Sequence, residues 1–166
     1  MTLAAKSQLL IAVLGHAACN NPDRYGAGGA GGSAQLWVRW MNGGEAVRLT
    51  SLPTSPSSLS WSPDGRSIAY TMLVKDEAPT FGSAPANKPE GAKWAEPLEV
   101  HDLLTYRADG AGYIEPGFEK IFLVPATGGA PRQLTFGPYH DGGPLSWSRD
   151  GRTLYFGANR KPDWEN

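Results

Sequence analysis

The sequence has only one cysteine, Cys19, in 166 residues, so no disulfide can form within the chain. The cysteine and the three histidines show no spacing typical of zinc ligands, and we predict no metal site and no cofactor. A surplus of one charge is also lacking, because 15 Lys and Arg stand against 16 Asp and Glu without any basic run. Nucleic-acid binders usually carry basic patches, so we expect no nucleic acid among the partners. No apolar run approaches the roughly 20 residues of a membrane-spanning helix, so we expect no membrane span.

The N-terminal apolar run LLIAVLG, residues 9–15, follows Lys6 and precedes the small residue Ala17, as in a short secretory signal. The run is short for such a signal, and His16 stands where a lipoprotein motif before Cys19 would carry an aliphatic residue. An ordinary buried strand or short helix explains the same run. Periplasmic or secreted and cytoplasmic locations therefore all stay open.

What the chain does have is many turn residues and a repeat. Its 21 glycines and 14 prolines favour tight turns over long helices. The segment LSWSPDGRSIAY at residues 59–70 returns as LSWSRDGRTLYF at residues 145–156. Each segment predicts a β-hairpin, in which an Asp-Gly turn joins a Trp-Ser strand to a second apolar strand. Arg149 replaces Pro63 in the second turn, which a type I turn tolerates.

The similarity extends upstream, since strand, Gly-Gly and Leu-Thr signals at residues 35–50 recur at residues 120–135. We call residues 35–70 the first repeat and residues 120–156 the second repeat. Each holds four strands, the content of one propeller blade. Leu49 and Leu134 are 85 positions apart and Trp61 and Trp147 are 86 apart, about twice a usual propeller unit of ~40–45 residues. A degenerate blade or an insertion could fill the gap, and its Pro-rich, polar composition favours an insertion.

We therefore predict an all-β fold: a partial β-propeller of four-stranded antiparallel blades over residues 34–166, with a long loop insertion at about 75–118. Residues 1–33 form a separate N-terminal segment, a possible signal peptide followed by a Gly-rich loop. The strand at residues 121–124 is apolar on both faces, which predicts cover on both sides.

The Trp-Ser-x-Asp-Gly hairpins with Leu-Trp-Val, Gly-Gly and Arg-Leu-Thr strands resemble TolB-like (WD40-like) propeller repeats. Together with PEGAKWAEP, LLTYRADGAGY and IFLVPATGGAPRQLT, they resemble the N-terminal propeller of bacterial serine peptidases of the prolyl oligopeptidase family, in the dipeptidyl or acylaminoacyl peptidase-like branch, over residues 35–165. The resemblance implies a scaffold that caps a C-terminal α/β-hydrolase domain and admits only short peptides. That domain would follow Asn166, and residues 1–32 hold no Trp-Ser-x-Asp-Gly unit, so the chain looks like an incomplete propeller.

No catalytic residue can be carried over from that family. Its nucleophile lies in a Gly-x-Ser-x-Gly turn, and neither GGSAQ at residues 31–35 nor FGS at residues 81–83 matches this pattern. We predict that the chain alone is inactive as a peptidase. The GAGGAG at residues 26–31 lacks a preceding strand and a following helix, which favours a flexible loop over a dinucleotide site.

Two His-Asp pairs could suggest acid/base chemistry or metal ligands: His101-Asp102 and His140-Asp141. Adjacent strand residues point to opposite sides and no third ligand is suitably spaced, so loop capping and surface hydrogen bonding explain both pairs better.

Four of the six tryptophans fall into two groups. Trp61 and Trp147 occupy equivalent repeat positions, which favours packing between blades. Trp94 and Trp164 lie in loop-like segments and are our candidates for contact with a partner domain or ligand. Two other functions stay open: a stand-alone TolB-like module that binds a protein or peptide, and self-association that covers open strand edges.

Overall fold

The structure is a computed structural model that describes residues 9–14, 33–40, 45–76, 90–91, 106–109 and 112–161. These residues contain strands and turns and no helix, in agreement with the predicted all-β class. All strand pairs in the described ranges are antiparallel. The strands are β1 (Leu9–Leu14), β2 (Gln35–Trp40), β3 (Val47–Arg48), β4 (Pro56–Trp61), β5 (Ser67–Lys75), β6 (Arg107–Ala108), β7 (Gly112–Tyr113), β8 (Gly117–Pro125), β9 (Arg132–Gln133), β10 (Asp141–Trp147) and β11 (Leu154–Ala158).

The strands form sheets in the orders β1-β2-β3, β4-β5-β8-β9, β6-β7 and β10-β11. The longest pairing joins β5 to β8, from Ser67 opposite Pro125 to Lys75 opposite Gly117. Both strands are mostly buried and apolar. They pair along their whole length at the centre of the four-stranded sheet, where both faces are covered. The long segment between them leaves and rejoins the sheet at neighbouring strand ends, and it includes the short hairpin β6-β7.

The grouping of strands into units differs from the sequence prediction. We expected the four strands of the first repeat to share one sheet. Instead β2 and β3 pair with β1, while β4 and β5 pair with β8 and β9 of the second repeat. The physical reason is that β5, nine residues long, finds in β8 a nine-residue apolar partner, whereas β3 has only two residues.

The apolar run near the N-terminus, for which export signal, strand and helix were all open, forms β1 in the structure. It pairs with β2 from Leu9 opposite Trp40 to Leu14 opposite Gln35. This strand adds the outer member of the first sheet.

The core lies between the first sheet and the four-stranded sheet. Leu36 and Val38 of β2 contribute to a cluster with apolar side chains of β5 and β8. The opposite face of the four-stranded sheet is also sealed, since Ala69, Thr71 and Ile121 are fully buried. This confirms the predicted cover on both faces of the strand at residues 121–124, where only Leu123 is half-buried.

The two Trp-Ser-x-Asp-Gly hairpins, β4-β5 and β10-β11, lie side by side. Nε1 of Trp147 donates a hydrogen bond to the carbonyl oxygen of Ser60 at 3.4 Å. A Cβ on Gly151 would lie 3.5 Å from Cδ of Pro63, so the two turns lie close together at the same end. The repeat is thus stacked without reversal. Both tryptophans are half-buried, and Trp61 packs against the core cluster while Trp147 hydrogen-bonds to the neighbouring hairpin.

A β-bulge explains why the repeat spacing changes from 85 to 86. Between Ser57 and Ser60, β4 carries one residue more than β5, and Ser58 has φ 49°. Between Gly142 and Ser146, β10 carries two residues more than β11. The additional residue of the second repeat therefore lies in the bulge, where an extra residue bends the strand without breaking its pairing.

Candidate functional site

The residues singled out from the sequence as partner contacts, Trp94 and Trp164, lie outside the described residues. The same holds for the His101-Asp102 pair and for the GAGGAG loop. His140 and Asp141 are described, and Asp141 belongs to a buried ionic cluster.

In each repeat, the threonine of the Leu-Thr pair is hydrogen-bonded to the first strand. In the first repeat, Oγ1 of Thr50 accepts a hydrogen bond from the backbone N–H of Leu36 at 3.0 Å. In the second, Oγ1 of Thr135 accepts from the N–H of Ile121 at 3.1 Å. The threonine therefore serves the backbone of the neighbouring strand, which explains why Leu-Thr recurs at the same place.

The residue that precedes Leu36 or Ile121 is neutral in the first repeat and charged in the second. Gln35 in the first repeat accepts a hydrogen bond from the N–H of Leu52 at 2.7 Å and donates one to its carbonyl oxygen at 3.0 Å. Lys120 occupies the equivalent position in the second repeat, and its Nζ donates to the carbonyl oxygen of Tyr139. An amide can satisfy both backbone groups and stay neutral, whereas a buried ammonium needs an anion.

Asp141 supplies that anion. Its Oδ2 lies 3.1 Å from Nζ of Lys120, with side chains 0% and 4% exposed. Its Oδ1 accepts hydrogen bonds from Nη2 of Arg160 at 2.6 Å and from Nε at 3.1 Å. Burial opposes ionisation of this carboxyl, but the hydrogen bonds from Arg160, Lys120 and Thr135 outweigh it and lower its pKa below the ordinary value.

The prediction that His140-Asp141 hydrogen-bonds at the surface is correct for the histidine and wrong for the aspartate. Nδ1 of His140 accepts a hydrogen bond from the backbone N–H of Glu119 at 3.2 Å. The exposed imidazole ring packs against Phe118, with ring centroids 5.3 Å apart. Asp141 is fully buried. The cause is Lys120, 21 positions earlier, whose buried charge the aspartate neutralises.

The cluster of Lys120, Asp141 and Arg160 connects β8 of the four-stranded sheet to the β10-β11 hairpin. Both basic groups hold the carboxylate in its charged form, and the geometry is that of a structural ion triad. Within the described ranges, no group of three or more His, Cys, Asp or Glu side chains could hold a metal ion.

The Asp-Gly turns repeat atom for atom. Ser62 Oγ donates to Asp64 Oδ1 at 2.6 Å, and Ser148 Oγ donates to Asp150 Oδ1 at the same distance. Gly65 and Gly151 both have φ 70°, as the predicted turn requires. The hydrogen bond from the serine is the main cause that lowers the pKa of each aspartate, and the hydrogen bond from the backbone N–H two residues on is the second. These groups stabilise the turns, because Oδ1 of each aspartate accepts from the serine hydroxyl and from the backbone N–H two residues on.

Tyr70 is a buried polar residue without a polar role. Among the described residues its hydroxyl has no hydrogen-bond partner, and burial raises its pKa to about 12. Its ring stacks on Phe122 with centroids 5.7 Å apart. The phenol therefore stays neutral and belongs to the core.

An open groove of about 520 Å³ lies along β5 and is lined by side chains including Met72, Val74 and Phe122. Its lining is mostly apolar, and no reactive constellation faces it among the described residues. The groove therefore offers packing surface rather than chemistry.

The β10-β11 hairpin is more exposed than the corresponding hairpin of the first repeat. Ala69 and Tyr70 of β5 are fully buried, whereas their repeat equivalents Tyr155 and Phe156 of β11 are 60% and 39% exposed. The two segments are nearly identical in sequence, but their environments differ. The difference arises because β5 pairs with β8, while β11 pairs only with β10 among the described strands.

Among the described residues, no helix has the length and apolar character needed to cross a membrane.

Comparison with known proteins gives one informative similarity. No family model matches the sequence. The chain is 34% identical over 129 residues, 78% of its length, to the Bacillus subtilis (strain 168) protein named uncharacterized peptidase YuxL. The matched segment covers 19% of that relative, so the chain spans about a fifth of its length. The molecule described above is thus an all-β chain with a peptidase relative.

Proposed function

We propose that this chain is the β-propeller part of a serine peptidase that resembles the prolyl oligopeptidase family, where it gates the entry of short peptides. The observation that carries the proposal is the similarity to a protein named as a peptidase. Because this segment has no nucleophile motif of its own, its proposed contribution to the enzyme is the shape of the substrate entrance and not a catalytic group.

The stacking of the repeat supports a propeller. Neighbouring hairpins lie in the same orientation with their Asp-Gly turns close together at Pro63 and Gly151. The four-stranded sheet β4-β5-β8-β9 is covered on both faces. Radial repetition of such sheets around an axis would produce both features. The segment between Lys75 and Gly117 would then be an excursion from one blade, placed where it can contact a hydrolase domain.

Gating needs no reactive side chain, because a narrow opening excludes long or folded substrates by geometry alone. The partners of this role are the C-terminal α/β-hydrolase domain and the short peptide substrates of the full enzyme. Trp94 and Trp164 remain our proposed contact residues for such a partner.

Two experiments test the proposal. The isolated chain, repurified, should show no hydrolysis of aminoacyl or dipeptidyl chromogenic substrates, and sustained hydrolysis would contradict the gating role. A chimaera of the Bacillus subtilis relative that carries the 129 matched residues of this chain should cleave short peptides that the relative itself cleaves, and should spare long unfolded proteins. Equal rates on short peptides and long proteins in a folded chimaera would overturn the proposal.

A further inference from the structure

We infer that His140 is a pH-sensitive latch between the four-stranded sheet and the β10-β11 hairpin. Its neutral imidazole joins β8 to the residue that precedes β10, and uptake of a proton opens this contact. The inference does not depend on the peptidase role.

The latch serves one backbone N–H of β8. The N–H of Leu134 donates to the carbonyl oxygen of Ile121, so Ile121 directs its backbone groups towards the β9 side. Alternate residues of an antiparallel strand direct these groups to the same side, so Glu119 does so as well. Strand β9 pairs with β8 only further along, at Phe122 and the next residue. The N–H of Glu119 instead donates to Nδ1 of His140 at 3.2 Å.

The first repeat makes the same contact with a side chain that does not titrate. There the N–H of Ala34 donates to Oγ of Ser55 at 3.0 Å. Ala34 and Ser55 are 21 positions apart in the sequence, as are Glu119 and His140, and the repeat offset of 85 relates the two pairs. The second repeat thus replaces a hydroxyl, which accepts at any ordinary pH, by an imidazole, which accepts only when it is neutral.

Protonation converts this acceptor into a donor. A neutral imidazole that accepts at Nδ1 carries its proton on Nε2, and a second proton adds at Nδ1. Two N–H groups would then face each other, so the ring must turn away from the N–H of Glu119. The same movement weakens the packing of the imidazole on Phe118, whose ring centroid lies 5.3 Å away.

The charges on the elements around His140 are balanced. Lys75 pairs with Glu115 at 2.9 Å, and the carboxylate of Asp141 pairs with both bases of the buried ion triad. Because these elements carry as many acidic as basic groups, the charge that the imidazole gains is nearly balanced, and the lost acceptor determines the effect. The titratable side chains concerned are those of Lys75, Glu115, Glu119, Lys120, Tyr139, Asp141 and Arg160.

Urea denaturation of the full-length chain tests the proposal. His140→Ala should lower the folded-to-unfolded ratio roughly 2- to 10-fold at about pH 7.5, the usual effect of one hydrogen bond. At about pH 5, where the imidazole of the wild-type chain is protonated and the latch is already open, the same variant should change the ratio less than about twofold. The contribution of the latch is therefore present at neutral pH and lost as the pH falls.

Ser55→Ala is the matched control, because it removes the equivalent acceptor of the first repeat, which does not titrate. It should lower the ratio by a similar factor at both pH values. A loss for His140→Ala that is the same at both pH values would overturn the proposal, and so would the absence of a loss at about pH 7.5.

Amide hydrogen exchange in the wild-type chain, followed by NMR, tests the contact itself. The protection factor of the Glu119 N–H, divided by that of the Ala34 N–H, should fall roughly 2- to 10-fold between about pH 7.5 and about pH 5. Protection factors are corrected for the intrinsic pH dependence of exchange, and the ratio removes changes in global stability that both amides share. An unchanged ratio would exclude the latch, because the N–H of Glu119 would then be held equally well beside a protonated imidazole.

Discussion

The ammonium of Lys120 lies 3.1 Å from the carboxylate of Asp141, although the two residues belong to different sheets and are almost sealed from water. In the first repeat the equivalent positions hold Gln35 and Pro56, which are buried and uncharged. The second repeat thus replaces a neutral pair by an ionic pair. A buried charge is tolerated only with its partner, so the two charges depend on each other.

Asp141→Asn should lower the free energy of unfolding by about 3–5 kcal/mol, because it leaves the Lys120 charge buried without an anion. The double variant Lys120→Gln/Asp141→Asn, which restores the neutral character of the first repeat, should recover at least half of that loss. Urea denaturation of the two single variants and the double variant measures the coupling. Additive losses would show that the two side chains act independently.

The pKa of Asp141 in the folded chain lies below its ordinary value, so its contribution to stability is fully present above the unfolded pKa of about 3.9 and is lost as the pH falls through the folded pKa. The stability difference between the wild-type chain and Asp141→Asn should therefore be constant from about pH 5 to 7 and should narrow below about pH 4. Urea midpoints at each pH measure it. A difference that does not change down to pH 2 would contradict the assignment.

Gly117→Ala should destabilise the chain strongly. Gly117 has φ 138°, and an added Cβ would fall 2.3 Å from the backbone oxygen of Val74 across the β5-β8 ladder. Gly143→Ala is the matched control, because Gly143 has φ 75° with open space around it. We expect Gly117→Ala to cost about 1–3 kcal/mol more than the control, since only the former adds a clash to the backbone strain. Equal thermal denaturation midpoints for Gly117→Ala and Gly143→Ala would contradict the close approach of Gly117 to the backbone of Val74.

Ser58→Gly should stabilise the chain by about 0.5–1 kcal/mol. Ser58 has φ 49° in the bulge of β4, a conformation that costs a non-glycine residue about 1–3 kcal/mol, partly offset by the greater flexibility of glycine when unfolded. The second repeat carries Gly143, with φ 75°, at the corresponding bulge. A rise in the midpoint of thermal unfolding is the expected result, and a fall would show that the serine side chain contributes more than the strain costs.

Tyr70→Phe should be neutral or stabilising by up to about 1 kcal/mol, because the buried hydroxyl has no hydrogen-bond partner in the described part of the chain and the stacked ring is retained. The second repeat already has Phe156 at this position. Chemical denaturation checks the change, and Tyr70→Leu, which removes the stack on Phe122, serves as the contrasting variant. A loss above 1 kcal/mol in Tyr70→Phe would mean that the hydroxyl has a partner in solution.

Short-range sequence patterns specify the individual hairpins and strands. The Trp-Ser-x-Asp-Gly letters specify two hairpins whose turns have the same φ and the same serine-aspartate bond, because a tight turn depends on only a few neighbouring residues. The strand at residues 121–124 is apolar on both faces, and this pattern predicts its burial, since apolar side chains on both faces need cover on both sides.

How the strands combine, and which polar residues are buried, depends on contacts between segments that are distant in sequence. The partner of β5 is β8 rather than β3, because length and apolarity match over a separation that no local pattern encodes. Asp141 and Lys120 meet across two sheets, and near-identical segments differ in exposure because β8 covers β5 and no described strand covers the outer edge of β11. Pairing and burial are properties of neighbours in space, and a repeated sequence therefore has different environments in its two places.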